Sequence, residues 1–111
     1  MEIQDKKSGN VEIFYLTGRL DAYAAAEVEK KLISATEKTQ CSLIIAMNNL
    51  EYISSSGLRV LLTSLKKARK LQGDVRLSGL QPYVKEVFDV AGFTQLFKIF
   101  EKEEDAISSF K

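Results

Sequence analysis

Between residues 43 and 68 the pattern of apolar side chains changes period once, and that change limits the folds open to the chain. Leu43-Ile44-Ile45-Ala46-Met47 is an unbroken apolar run bounded by polar residues, the pattern of a strand buried on both faces. Beyond Gly57, Leu58, Leu61, Leu62, Leu65 and Ala68 recur at helical spacing and form one amphipathic stripe. Ser54, Ser55, Ser56 and Gly57 stand at the junction, so the helix is expected to begin at the serines. The first N–H groups of a helix lack internal partners and carry partial positive charge. A serine there caps them, and a phosphate there is favoured. Capping is the commoner role of a serine in that place; presenting a phosphoacceptor is the second reading.

The rest of the chain supplies a sheet and its covering helices. Glu2 to Lys7 reads as an edge strand closed by Ser8-Gly9-Asn10, and Val11 to Thr17 as its antiparallel partner. Gly18 interrupts that pattern. Asp21 stands at the N-cap position of a helix over Ala22 to Thr36, whose inner stripe is Ala25, Val28, Leu32 and Ala35. Asn48 and Asn49 read as turn formers after the central strand. The serine helix is expected to end near Gln72 with Gly73 as the C′ glycine. Lys66, Lys67, Arg69 and Lys70 fill its last turns, where cations complement the dipole, and read as a solvated face. A strand over Asp74 to Ser78, a helix opened by Pro82 and stopped by Gly92, a strand over Leu96 to Phe100 and a final helix through Ala106, Ile107 and Phe110 complete the series. The expected class is α/β, a mixed sheet of about five strands with about four helices packed against it, in one domain over residues 1–111.

Composition excludes several functions. Sixteen basic against fifteen acidic residues give a formal charge of +1, so no global field draws the chain to nucleic acid or an anionic membrane. No apolar run is long enough to span a bilayer and the start is not of the signal-peptide kind, so the chain reads as cytoplasmic. The single cysteine, Cys41, cannot form an internal disulfide and reads as a buried structural thiol. There is no histidine, which removes Ser-His-Asp and Cys-His nucleophiles and every histidine metal site. No catalytic residue, cofactor or metal is expected. Tyr52 reads as an aromatic at the core edge with a wet hydroxyl.

The run Tyr52-Ile53-Ser54-Ser55-Ser56-Gly57-Leu58-Arg59-Val60-Leu61 resembles the signature of the STAS domain family, in particular the stand-alone bacterial anti-sigma factor antagonists. Leu16-Thr17-Gly18-Arg19-Leu20-Asp21 is similar to the family's earlier Leu-x-Gly-x-Leu-Asp turn. The resemblance implies the STAS fold and a non-enzymatic partner switch. It implies phosphorylation of Ser56, the serine directly before the glycine, and a partner-binding surface around Asp21, Ser54, Ser55, Gly57 and Leu58. The implied partners are an anti-sigma factor that is itself a serine kinase and a metal-dependent serine phosphatase. The usual aspartate of the signature is replaced by Ser54, and the aspartate commonly ending the preceding strand aligns with Ala46; both were expected to lie near the acceptor. Asp21 has two compatible roles, helix cap and partner contact.

Two other classes stand beside this reading. One is a ligand-sensing module that holds a nucleotide or lipid with the serine turn as anion seat. The other is a serine hydrolase, which here lacks a histidine base and an oxyanion constellation beyond the helix start.

Overall fold

A computed structural model describes residues 1–111. Five strands form one sheet in the order β1-β2-β3-β4-β5: β1 (Glu2–Ser8), β2 (Val11–Leu20), β3 (Ser42–Ile53), β4 (Asp74–Ser78) and β5 (Ile99–Phe100). The β1–β2 pair is antiparallel, as the turn at Gly9 requires, and the other three pairs are parallel. Four helices connect and cover them: α1 (Ala22–Thr36), α2 (Ser55–Lys70), α3 (Pro82–Ala91) and α4 (Glu103–Ser108). This is the expected α/β mixed sheet.

The two faces of the sheet are unequal. On one side Leu16, Leu20, Leu43, Ile45, Met47, Leu50, Ile53, Val75 and Leu77 meet the inner stripes of α1, α2 and α3 in a continuous core. On the other side Val11, Ile13, Ile44 and Ala46 are covered by Ala106, Ile107 and Phe110 of α4 and its C-terminal extension. Alternation along β2 and β3 sends neighbouring side chains to opposite faces, which is why an unbroken apolar run was needed.

Four local expectations differ from the structure. Asn48 and Asn49 do not make a turn; β3 runs through them to Ile53. The β2–β3 register shows the reason. From Tyr15↔Ala46 to Thr17↔Asn49, and again from Gly18↔Leu50 to Arg19↔Tyr52, β3 advances one residue more than β2. Such irregularities absorb polar residues that a regular strand would force into the core, and β2 correspondingly continues past Thr17 to Leu20. At the end of α2, Gln72 (φ +70°) takes the left-handed position expected of Gly73. The Gln72 N–H bonds the Arg69 carbonyl at 3.1 Å and the Gly73 N–H bonds the Ala68 carbonyl at 2.8 Å, a Schellman closure. Finally, the strand expected over Leu96 to Phe100 is only Ile99–Phe100. Phe93–Gln95 forms a 3-10 turn instead, because Phe93 and Phe97 both pack edge-on against Phe88, with ring centres 6.1 and 6.0 Å away. In an extended segment the two side chains would share a face but stand about 13 Å apart, too far for both to meet one ring.

Cys41 is partly buried rather than fully so, packs against the main core, and burial pushes its thiol pKa up. It is therefore a poor nucleophile. Ser78 is fully buried with no partner for its hydroxyl. Because that group has lost water and gained nothing, Ser78→Ala is expected to leave the melting temperature unchanged or raise it slightly. A fall of several degrees in a thermal melt would contradict this.

Candidate functional site

The carboxyl ends of β2 and β3 lie side by side, with Leu20 opposite Ile53. Each strand turns directly into a helix, so the N-termini of α1 and α2 converge at one end of the sheet. The Ser54 N–H bonds the Leu20 carbonyl at 2.9 Å and ties the two turns together. Asp21 caps α1 through Oδ1, which accepts from the Ala24 N–H at 2.9 Å. Ser54 caps α2 through Oγ, which accepts from the Gly57 N–H at 3.1 Å.

The three serines thus have different surroundings. Ser54 is engaged in the cap. Ser55 is exposed, and Ser56 is half-buried in the first turn of α2. Neither Ser55 nor Ser56 makes a side-chain hydrogen bond within the protein, so both hydroxyls are free for chemistry. The cap falls to Ser54 alone and leaves the other two hydroxyls unengaged. Removing the cap hydroxyl in Ser54→Ala is expected to cost about 1 kcal/mol, whereas Ser56→Ala leaves stability within about 0.5 kcal/mol. Urea denaturation of the two variants measures both, and a larger loss for Ser56→Ala would reverse the assignment.

Gly57 lies beneath this surface. It is buried, and a Cβ built on it would stand 2.7 Å from Leu20 Cγ and 3.0 Å from Ile53 Cγ1. The missing side chain lets α2 start against the end of β2. Leu58 is partly buried against the main core and leaves an apolar edge beside the serines.

The electrostatics of the two helix starts differ. Each carries roughly half a positive elementary charge. The Asp21 carboxylate opposes that of α1, but α2 has no acidic residue in its first turn and its cap is neutral. An anion added to Ser56 meets an uncompensated positive end. Ala46, by contrast, is fully buried in the α4-side cluster with Val11, Ile13 and Ile44. The expectation that its side chain would lie beside Ser56 is corrected: this position belongs to the sheet interior.

Sequence reasoning missed Arg19 as part of this end of the molecule. Its guanidinium lies 4.3 Å from the centre of the Tyr52 ring, a cation–π contact one register step before Leu20 and Ile53. No sequence signal could have paired them, since the offset depends on both irregularities in β3. Tyr52 is half-buried, as expected of an aromatic at the core edge. No helix is long and apolar enough to cross a membrane. Five surface hollows are lined by residues other than Ser54, Ser55 and Ser56. The nearest in the chain, between the ends of β2 and β3 and the start of α3, is lined by Thr17, Gly18, Asn48, Asn49, Glu51, Gln81 and Tyr83 among others and offers no cation to a phosphate.

A strand–serine turn–helix junction beside a second capped helix start, on a five-stranded mixed sheet, matches a known family over nearly the whole chain. The STAS domain profile covers residues 2–106. The chain belongs to the STAS family. This STAS domain is 33% identical over 111 residues to BtrV of Bordetella bronchiseptica, provisionally named an anti-sigma factor antagonist, covering 100% of this chain and 96% of that one. The crystal structure of an anti-sigma factor antagonist from Mycobacterium paratuberculosis superposes with a TM-score of 0.88 at 18% identity, over 98% of this chain and 92% of the other. The Bacillus cell fate determinant SpoIIAA in its phosphorylated form superposes with a TM-score of 0.76 at 22% identity, over 99% and 100% of the two chains. At those identities the superpositions establish the STAS fold.

Proposed function

We propose that this STAS domain is an anti-sigma factor antagonist that acts as a phosphorylation-controlled partner switch without catalytic activity of its own. Unphosphorylated, the surface around Asp21, Ser54, Ser55 and Leu58, held in place by Gly57, binds an anti-sigma factor and frees a sigma factor. The anti-sigma factor is also an ATP-dependent serine kinase. It phosphorylates Ser56 and is released, and a metal-dependent serine phosphatase restores the binding form. The names of the sequence relatives support the antagonist role, and the existence of SpoIIAA in a phosphorylated form supports the switch.

The observation that carries this reading is the division of labour among the serines. Ser54 already satisfies the helix start, so Ser56 is not needed as a cap and its hydroxyl is unengaged at a positive helix end. Phosphorylation there requires no refolding. Incubation of the protein with native cell extract and ATP, followed by mass analysis of the peptide spanning Ser54 to Ser56, is expected to place one phosphate on Ser56. Phosphate confined to Ser54 or Ser55, or none, would reject the assignment.

A further inference from the structure

The outward face of α2 carries a charge pattern that the serine turn does not use. Helix α2 contains Arg59, Lys66, Lys67, Arg69 and Lys70 and no acidic residue. Taking those five from the sixteen basic residues of the chain leaves eleven against fifteen acidic ones elsewhere, so a nearly neutral protein has one strongly basic helix. At 3.6 residues per turn, Ser55, Arg59, Lys66 and Lys70 fall within an arc of about 60°. All four are exposed, opposite the buried Gly57, Leu61, Leu65 and Ala68. They form a stripe about 22 Å long with an exposed serine at its head.

These cations are unspent. Arg69, off the stripe, is held by Asp74 at 3.0 Å. Arg59, Lys66 and Lys70 have no carboxylate within 4.0 Å. Complementing the helix dipole explains Lys70 in the last turn, but Arg59 lies near the positive end, where a cation is unfavourable. We propose that this stripe is a docking surface for an acidic ridge on a partner protein, and, resting on the partner-switch reading above, that the partner is the same regulator kinase. The serine turn then sits at the end of the contact. A phosphoryl group of about −1.5 to −2 charges on Ser56, next to Ser55 at the head of a stripe of three cations, cancels part of its attraction and opposes the partner's acidic groups.

A membrane or nucleic acid fits this face less well. Outward-facing α2 presents no exposed aromatic or aliphatic residue to enter a bilayer, and the acidic remainder of the chain opposes a polyanion. The test compares wild type, Lys66→Glu/Lys70→Glu, Lys66→Gln/Lys70→Gln and Ser56→Asp. Affinity capture from native extract with each protein, read by mass analysis, identifies the kinase; its purified form is then used in association kinetics at low and high salt. Phosphatidylserine–phosphatidylcholine vesicles and a short duplex DNA are separate arms.

At low salt the glutamate pair is expected to slow association about tenfold and the glutamine pair about threefold, with unchanged melting temperatures. High salt should close most of the gap. If Ser56→Asp weakens binding while the glutamate pair associates like wild type, the docking proposal falls and the switch survives. If the glutamate pair slows association while Ser56→Asp binds like wild type, the switch falls and the docking surface survives. Lysine-dependent adhesion to the vesicles or the DNA, or capture of no kinase dependent on Lys66 and Lys70, overturns the proposal.

Discussion

Ser56→Asp is expected to bind the regulator kinase about 100-fold more weakly than wild type while keeping its melting temperature within a few degrees. The two halves of that result have separate causes. Stability is preserved because Ser56 makes no hydrogen bond that the substitution removes and lies in a first turn without acidic residues, where a carboxylate suits the helix end. Affinity falls because a charge has been added to a contact surface. Two unit charges about 4 Å apart interact by about 4 kcal/mol at an effective dielectric of 20. Even two-thirds of that, after screening of a half-exposed site, is roughly 100-fold, since about 1.4 kcal/mol is a factor of ten. Calorimetry against the purified kinase, with a thermal melt of the same samples, measures both. Equal affinities for Ser56→Asp and wild type would eliminate the electrostatic switch, and a large melting-point loss would show that the serine is structural.

Gly73→Ala is expected to destabilise the protein by about 3 kcal/mol and to lower the melting temperature by about 10 °C. An added Cβ would stand 2.6 Å from both the N and the O of Cys41 and 3.0 Å from its sulfur. Backbone cannot rotate away as a side chain can. Both neighbouring segments are also pinned, by the Asp74 N–H to the Cys41 carbonyl at 3.0 Å and the Gln40 N–H to the Leu71 carbonyl at 2.8 Å. Gln72→Gly, one residue earlier, should act in the opposite direction. It relieves a non-glycine residue at φ +70° and is expected to stabilise by about 0.5–1 kcal/mol. Chemical denaturation of the pair tests the sign as well as the size, and the assignment of roles fails if Gly73→Ala unfolds at the wild-type midpoint.

The same two residues show how far the chain could be read in advance. A glycine after a basic helix end reads as a C′ residue because that is the commonest use of glycine there. The structure uses it for the approach of Cys41, a residue 32 positions earlier, and no local rule contains that distance. The Asp21 cap and four of the buried positions of α1, Ala25, Val28, Leu32 and Ala35, were legible, since both depend on residues within a few positions of one another, while the burial of Ala24 and Thr36 was not. Asn48 and Asn49 were misread for the converse reason. Their turn propensity is local, whereas the parallel pairing with β2 that keeps them extended is not.

At the site, the sequence by itself determined that a capped helix start follows a buried strand, and the resemblance in its motifs marked Ser56. Helical periodicity and cap chemistry are short-range, so they survive reading in one dimension. Tertiary structure alone decided which serine caps, that Gly57 is packed against Leu20, that Ala46 is buried beneath α4 rather than at the serine turn, and that Arg19 stacks on Tyr52. It also decided that Arg59, Lys66 and Lys70 stand without carboxylate partners on the helix face headed by Ser55. Each of these depends on which strands pair, in what register, and on which face a helix settles. Such relations are set by the collective burial of side chains far apart in the chain, and no neighbour in sequence records them.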